Sequence, residues 1–216
     1  MNLNPSDILY KFHKLLLKGF RTELVGSGSN NHNYQCESLG RCCNRFNQYY
    51  DTTINELLTL RLGNLTEIGS GVLALNAEYL YLPYKSLNNV LQLVTKIFEA
   101  FTAGYNVVLV PYNLNNQHWV GLVVEDKQGS IILHYQDSLQ QLIPSDLLDQ
   151  FQLSFDRYSP GINISFIEFH VEKQLSNNCG SEVIENFVLY LTGKRVSQGE
   201  AVMLHSKLLE RYSCSC

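Results

Sequence analysis

The chain has 216 residues, 45% of them hydrophobic and 17% charged, and carries a net charge of −4. That length suits one domain, or one domain with an extension, and the composition is that of a globular rather than a disordered protein. No dense block of Lys or Arg occurs, which argues against nucleic acid or an anionic membrane as partner, and no apolar run is long enough to span a bilayer.

The opening stretch MNLNPSDILYKFHKLLLKGF lacks the basic start and unbroken apolar run of a cleaved signal. Its spacing predicts an amphipathic helix over residues 5–18, with Ile8, Leu9, Phe12, Leu15 and Leu16 at helical intervals. Residues 26–44 have turn composition and no period. Residues 1–47 therefore read as a helical extension and linker ahead of a domain at 48–216. Five of the six cysteines (Cys36, Cys42, Cys43, Cys214 and Cys216) lie toward the two ends, and Cys179 stands apart. This is no disulfide framework, and a reducing compartment is the simpler reading. His32, Cys36, Cys42 and Cys43 are irregularly spaced for zinc. Neither a metal nor a cofactor is expected.

A helix is predicted from near Thr53, which stands at capping-box distance from Glu56, to Gly63. Residues 64–85 are ambiguous and read as a variable, substrate-facing segment. Leu87, Val90, Leu91, Val94, Ile97, Phe98 and Phe101 predict a helix over 86–102. Strands follow at 106–112, 118–125 and 130–136, the last two joined by a Lys127-Gln128-Gly129 turn. Pro144 to Phe151 reads as a helix with Pro in its first turn, and the alternation over 163–172 as another strand. Helices at 179–192 and 199–211 complete the chain. Helices before and after a mainly antiparallel sheet make the layout α+β.

The chemistry concentrates in four residues. Cys179 opens a helix, where unpaired backbone N–H groups and the positive end of the dipole favour thiolate over thiol. His118 opens a strand and is the candidate base. Asp137 closes the next strand and is the candidate orienter of that base. Gln174, five residues before Cys179, is placed to set its amide beside the Cys179 N–H as an oxyanion hole. Gly180 allows close approach of a substrate backbone. Alternation sets Trp119 on the strand face opposite His118. His134 competes as the base, but alternation turns it away from Asp137. His170 and His205 read as strand and helix-surface residues.

This combination resembles the ubiquitin-like-protein proteases of clan CE, which include SUMO proteases, adenovirus protease and bacterial effector deubiquitinases. His118-Trp119, Asp137-Ser138, Gln174 and Cys179-Gly180 carry the resemblance, which covers residues 48–212. The segment YYDTTINELL at 49–58 is similar to the helix start of bacterial members. The resemblance implies a papain-like α+β fold with a central, mainly antiparallel sheet flanked by helices. It implies a cysteine isopeptidase that cleaves after the C-terminal glycine of ubiquitin or a ubiquitin-like modifier. A monomeric bacterial effector acting in a reducing host cytosol is the expected setting.

In that family the Trp beside the base clamps the Gly-Gly tail of the modifier, a role that falls to Trp119. Trp119 is the only Trp in the chain, and Tyr79, Tyr81 or Tyr84 would supply the second aromatic. Asn178 stands where SUMO proteases carry Asp, and Gln174 is one residue closer to the cysteine than in them. The alternatives are a SUMO- or NEDD8-specific protease, an acetyltransferase of the same clan and a non-catalytic ubiquitin-binding module. Asp137 points away from the acetyltransferases, which typically carry Glu at that position.

Overall fold

The computed structural model describes residues 49–63, 65, 71–77, 87–114, 117–127, 129–175 and 178–213. The predicted helix at 5–18, the linker, Tyr79, Tyr81, Tyr84 and every cysteine except Cys179 lie outside these residues. Among the described residues the chain forms α1 (Asp51–Gly63), β1 (Val72–Ala74), α2 (Leu87–Thr102), β2 (Val107–Leu114) and β3 (His118–Asp126). It continues as β4 (Ser130–Gln136), α3 (Ser145–Tyr158), β5 (Asn163–Glu168), α4 (Cys179–Thr192) and α5 (Gln198–Ser213). The strands lie in the order β1-β2-β3-β4-β5. β2, β3 and β4 pair antiparallel, as the sequence predicts, whereas the two edge strands pair parallel with their neighbours. The α+β class stands, with a sheet that is mixed.

Strand alternation sorts the core into two layers. Val108, Val110, Tyr112, Val120, Leu122, Val124, Leu133 and Tyr135 meet α2 and α3 on one face. Helix α2 offers Val90, Leu93, Val94, Ile97 and Ala100 to that layer, and α3 offers Leu147, Phe151 and Phe155. On the other face Leu109, Trp119 and Val123 meet α1, α4 and α5 through Ile54, Leu57, Val183, Ile184, Phe187 and Leu209. Burying a side chain of this size contributes about 1.5–3 kcal/mol.

Three boundaries differ from expectation for identifiable reasons. α3 continues past Phe151 because Phe155 extends the stripe of Leu147 and Phe151 at four-residue spacing, and Pro160-Gly161 follows its end. β1 falls inside the ambiguous 64–85 stretch, and three residues are too few to show a period. β5 ends at Glu168, so His170 lies beyond the strand.

Helix α4 carries the nucleophile candidate, and it is buried all round from Cys179 to Val188. Gly121 permits this seating on the sheet, since a Cβ there would lie 2.8 Å from Gln136 Oε1 and 3.0 Å from Phe187 Cε1. Gly193, in the left-handed conformation at φ 69°, ends the helix.

Candidate active site

The antiparallel register explains why His118 and Asp137 meet. Gly121 pairs with Gln136, so one further step sets Asp137 against Val120, on the same face as His118. Diagonal neighbours of this kind lie within side-chain reach. His118 Nε2 and Asp137 Oδ1 are 2.6 Å apart. Asp137 is buried, and its Oδ1 also accepts the Leu139 N–H at 2.7 Å, while its Oδ2 accepts the Tyr135 hydroxyl at 3.4 Å. Burial and the adjacent carboxylate raise the Tyr135 phenol well above its ordinary range.

Cys179 also lies near enough to His118 to act on its charge. Burial by itself would lower the imidazolium pKa. The hydrogen bond and charge of Asp137, with the neighbouring Cys179, outweigh it and hold the pKa up at about 9. The ring therefore stays protonated at neutral pH, between a carboxylate and a sulfur. Asn178, the residue before α4, makes no side-chain cap bond, so its amide does not compete for the N–H groups of the first turn. Gln174 joins the group through Ser138. The Ser138 hydroxyl donates to Gln174 Oε1 at 2.6 Å, and the Gln174 N–H donates to the Ser138 carbonyl at 2.9 Å. The structure thus bonds His118 to Asp137 with Cys179 nearby, and ties Gln174 to the residue beside Asp137.

Two residues behave differently from expectation. Trp119 is only 3% exposed, packs in the core layer beside Cys179, and donates its indole N–H to the Tyr49 carbonyl at 3.0 Å. It therefore fastens the chain ahead of α1 to β3, and little of the ring is open to a peptide tail. Gly180 is required by packing. A Cβ there would lie 2.9 Å from Ile54 Cδ1 and 3.0 Å from Tyr49 Cβ.

His205, read as a helix-surface residue, is fully buried. Its Nδ1 lies 3.1 Å from Ser181 Oγ and its Nε2 lies 3.0 Å from Glu185 Oε1. Arg61 grips the same carboxylate with Nε at 2.9 Å and Nη2 at 3.1 Å. Burial would raise Glu185, but the bonds to His205 and Arg61 hold its carboxyl below the usual range. This network staples α1 and α5 to α4. The signal for it was two carboxylates, Glu182 and Glu185, inside an otherwise apolar helix, a pattern that calls for buried cationic partners. Arg195 meets the other one, bonding Glu182 at 2.7 Å and Asn186 at 3.1 Å. His134 bonds Glu125 at 3.1 Å and packs against Tyr190, away from Asp137.

No protein-family model and no curated protein matches the sequence. Solved structures do. The C-terminal Ulp1 protease domain in complex with Smt3, the yeast ortholog of SUMO, aligns at a TM-score of 0.56 and 15% identity, covering 96% of this chain and 94% of that one. The Xanthomonas campestris effector protein XopD bound to ubiquitin aligns at 0.54 and 16%, covering 85% and 100%. The Rickettsia bellii effector protein RickCE aligns at 0.51 and 14%, covering 76% and 94%. The mixed sheet, the helix layers and these alignments agree: the chain has the fold of the Ulp1-type proteases.

Proposed function

We propose that this protein is a cysteine isopeptidase that cleaves after the C-terminal glycine of ubiquitin or a closely related modifier. The observation that carries the reading is His118, 2.6 Å from the buried Asp137, together with Cys179 at the first turn of α4. The likeness in fold to proteins solved with Smt3 and with ubiquitin supports the choice of modifier.

In this reading the Cys179 sulfur attacks the carbonyl carbon of the terminal glycine, and the carbonyl electron pair moves onto oxygen. The Cys179 N–H and the Gln174 amide stabilise that oxyanion. As the tetrahedral adduct collapses, the C–N bond breaks and His118 gives its proton to the leaving lysine amine. A thioester remains on Cys179. Neutral His118 then takes a proton from water, which attacks the thioester and releases the glycine carboxylate and the sulfur. Asp137 holds the ring in one orientation throughout and stabilises its charge. A thiol with this role must stay reduced, which fits a monomeric effector working in a host cytosol.

Parallel exposure to ubiquitin, SUMO and NEDD8 propargylamide probes tests the reading. One probe is expected to form a covalent adduct that disappears in Cys179→Ala, with ubiquitin reacting fastest. An intact wild-type protein inert to all three would sink the isopeptidase reading.

A further inference from the structure

Gln174 lies in a stretch, 171–175, that is neither helix nor strand. Irregular backbone of this kind does not by itself aim a long side chain. Two buried residues distant in sequence do. Ser138 takes the Gln174 N–H on its carbonyl and places its hydroxyl on Oε1, which makes Nε2 the donor end of the amide. Gln198, the first residue of α5, spans the peptide groups on either side. Its Oε1 accepts the Leu175 N–H at 2.9 Å and its Nε2 donates to the Lys173 carbonyl at 2.8 Å. Its amide thus behaves as a short strand partner for the segment.

Ser138 also belongs to the turn that aims Asp137. The Gln140 N–H closes that turn on the Asp137 carbonyl at 2.9 Å. Gln140 sits at φ 58°, a left-handed conformation a side chain rarely adopts, and its amide reaches the Val171 carbonyl at 3.3 Å. One turn therefore supports two groups: Asp137, which faces His118, and the hydroxyl that meets Gln174. We propose that Ser138 and Gln198 are positioning residues that preorganise Gln174 as the oxyanion donor, the Asp137–Gln140 turn serving base and oxyanion hole together. This rests on the isopeptidase reading and adds to it how the donor is held.

The test compares Ser138→Ala, Gln198→Ala and Gln174→Ala for kcat and KM on whichever aminocoumarin derivative of ubiquitin, SUMO or NEDD8 the wild type turns over. It also measures alkylation of Cys179 by iodoacetamide, which displaces iodide at a saturated carbon and creates no oxyanion. Gln174→Ala should lower kcat by about a hundredfold, and each positioning variant by about tenfold, with KM and alkylation rate unchanged. Ser138→Ala should add nothing further in a Gln174→Ala background. Thermal unfolding confirms that each variant is folded, and Gln198→Ala, outside the turn, carries the test if Ser138→Ala is not. Full kcat in a folded Ser138→Ala or Gln198→Ala protein, beside a slow Gln174→Ala, overturns the positioning role. A fall in alkylation rate with kcat would show that Ser138 acts through Asp137 instead, and also overturns it. Full kcat in Gln174→Ala would remove the oxyanion donor from the isopeptidase reading and this inference with it.

Discussion

Replacing Asp137 with Asn isolates what its charge contributes. Asn keeps an oxygen where Oδ1 now stands 2.6 Å from His118 Nε2, so the ring can still be oriented. The charge is lost. The rise of the His118 pKa from 6.5 to about 9 is a preference for the imidazolium of ~3 kcal/mol, achieved against burial and shared between Asp137 and Cys179. Without Asp137, burial opposes Cys179 alone and the pKa is expected to fall by at least about one unit, toward the ordinary histidine value of about 6.5. At that limit, protonation at pH 7.5 would drop from about 97% to about 10%, a tenfold loss of competent enzyme. Loss of charge stabilisation in the transition state then takes the deficit in kcat/KM to about a thousandfold or more. Titration of ring-labelled histidine by NMR reads the first quantity, and aminocoumarin release across pH reads the second. The wild type should lose activity as pH rises through about 9, where His118 gives up its proton, and the variant should lose its residual activity at lower pH. A variant whose His118 still titrates near the wild-type value, or whose kcat/KM stays within about twofold, would refute this account of the site.

Cys179→Ala should abolish turnover while leaving the melting temperature within a few degrees, because the change removes one sulfur from a well-supported helix; detectable turnover by the purified variant would exclude the mechanism. Trp119→Ala should cost about 3–5 kcal/mol in urea unfolding, since the ring is buried and its N–H is bonded to Tyr49. A stable Trp119→Ala protein with only a raised KM would instead return the ring to the substrate channel. Arg61→Ala leaves the Glu185 carboxylate buried with only the His205 ring among these partners, and should destabilise by about 3–5 kcal/mol. Because the folded Glu185 carboxyl lies below its unfolded value, its contribution is present above about pH 4.5 and is lost as pH falls through the lower folded value. The gap between wild type and Arg61→Ala should therefore narrow in acid, and a gap that widened would contradict the assignment.

Where the sequence was legible, the signal was local. Alternation marked β3 and β4, and the helical pattern after Cys179-Gly180 marked α4 to the residue. The same alternation separated His118 from Trp119 and turned His134 away from Asp137. What stayed hidden was set by partners far away in the chain. Gly180 and Trp119 suit a substrate channel as residue types. Their roles are decided by Tyr49 and Ile54, whose position no periodicity reveals. His205 sits in a helix with charged neighbours and looks solvated until α4 brings Glu185 and Ser181 against it. The Ser138 hydroxyl bonds the Gln174 side chain and Gln198 bonds the backbone on either side of it, and bonds across such separations leave no pattern in sequence.

The topology also sets an order of assembly. β2, β3 and β4 are consecutive and antiparallel, and the bond between His118 and Asp137 spans only 19 residues. The tie from Ser138 to Gln174 spans 36, and the Arg61–Glu185 pair that seats the nucleophile helix spans 124. Closing the longest of these loops costs roughly 1.5 kcal/mol more than closing the shortest, and parallel edges are slower to form than a meander. His118 and Asp137 should therefore come together in the folding nucleus, with Cys179 docking afterwards onto a surface already shaped to receive it. Folding-rate measurements would show this as larger transition-state effects for truncations at Val123 and Leu133 than at Val183 and Ile184. On the isopeptidase reading, a chain whose Cys179 has not yet docked beside His118 would lack its activated thiol and would not cut its neighbours.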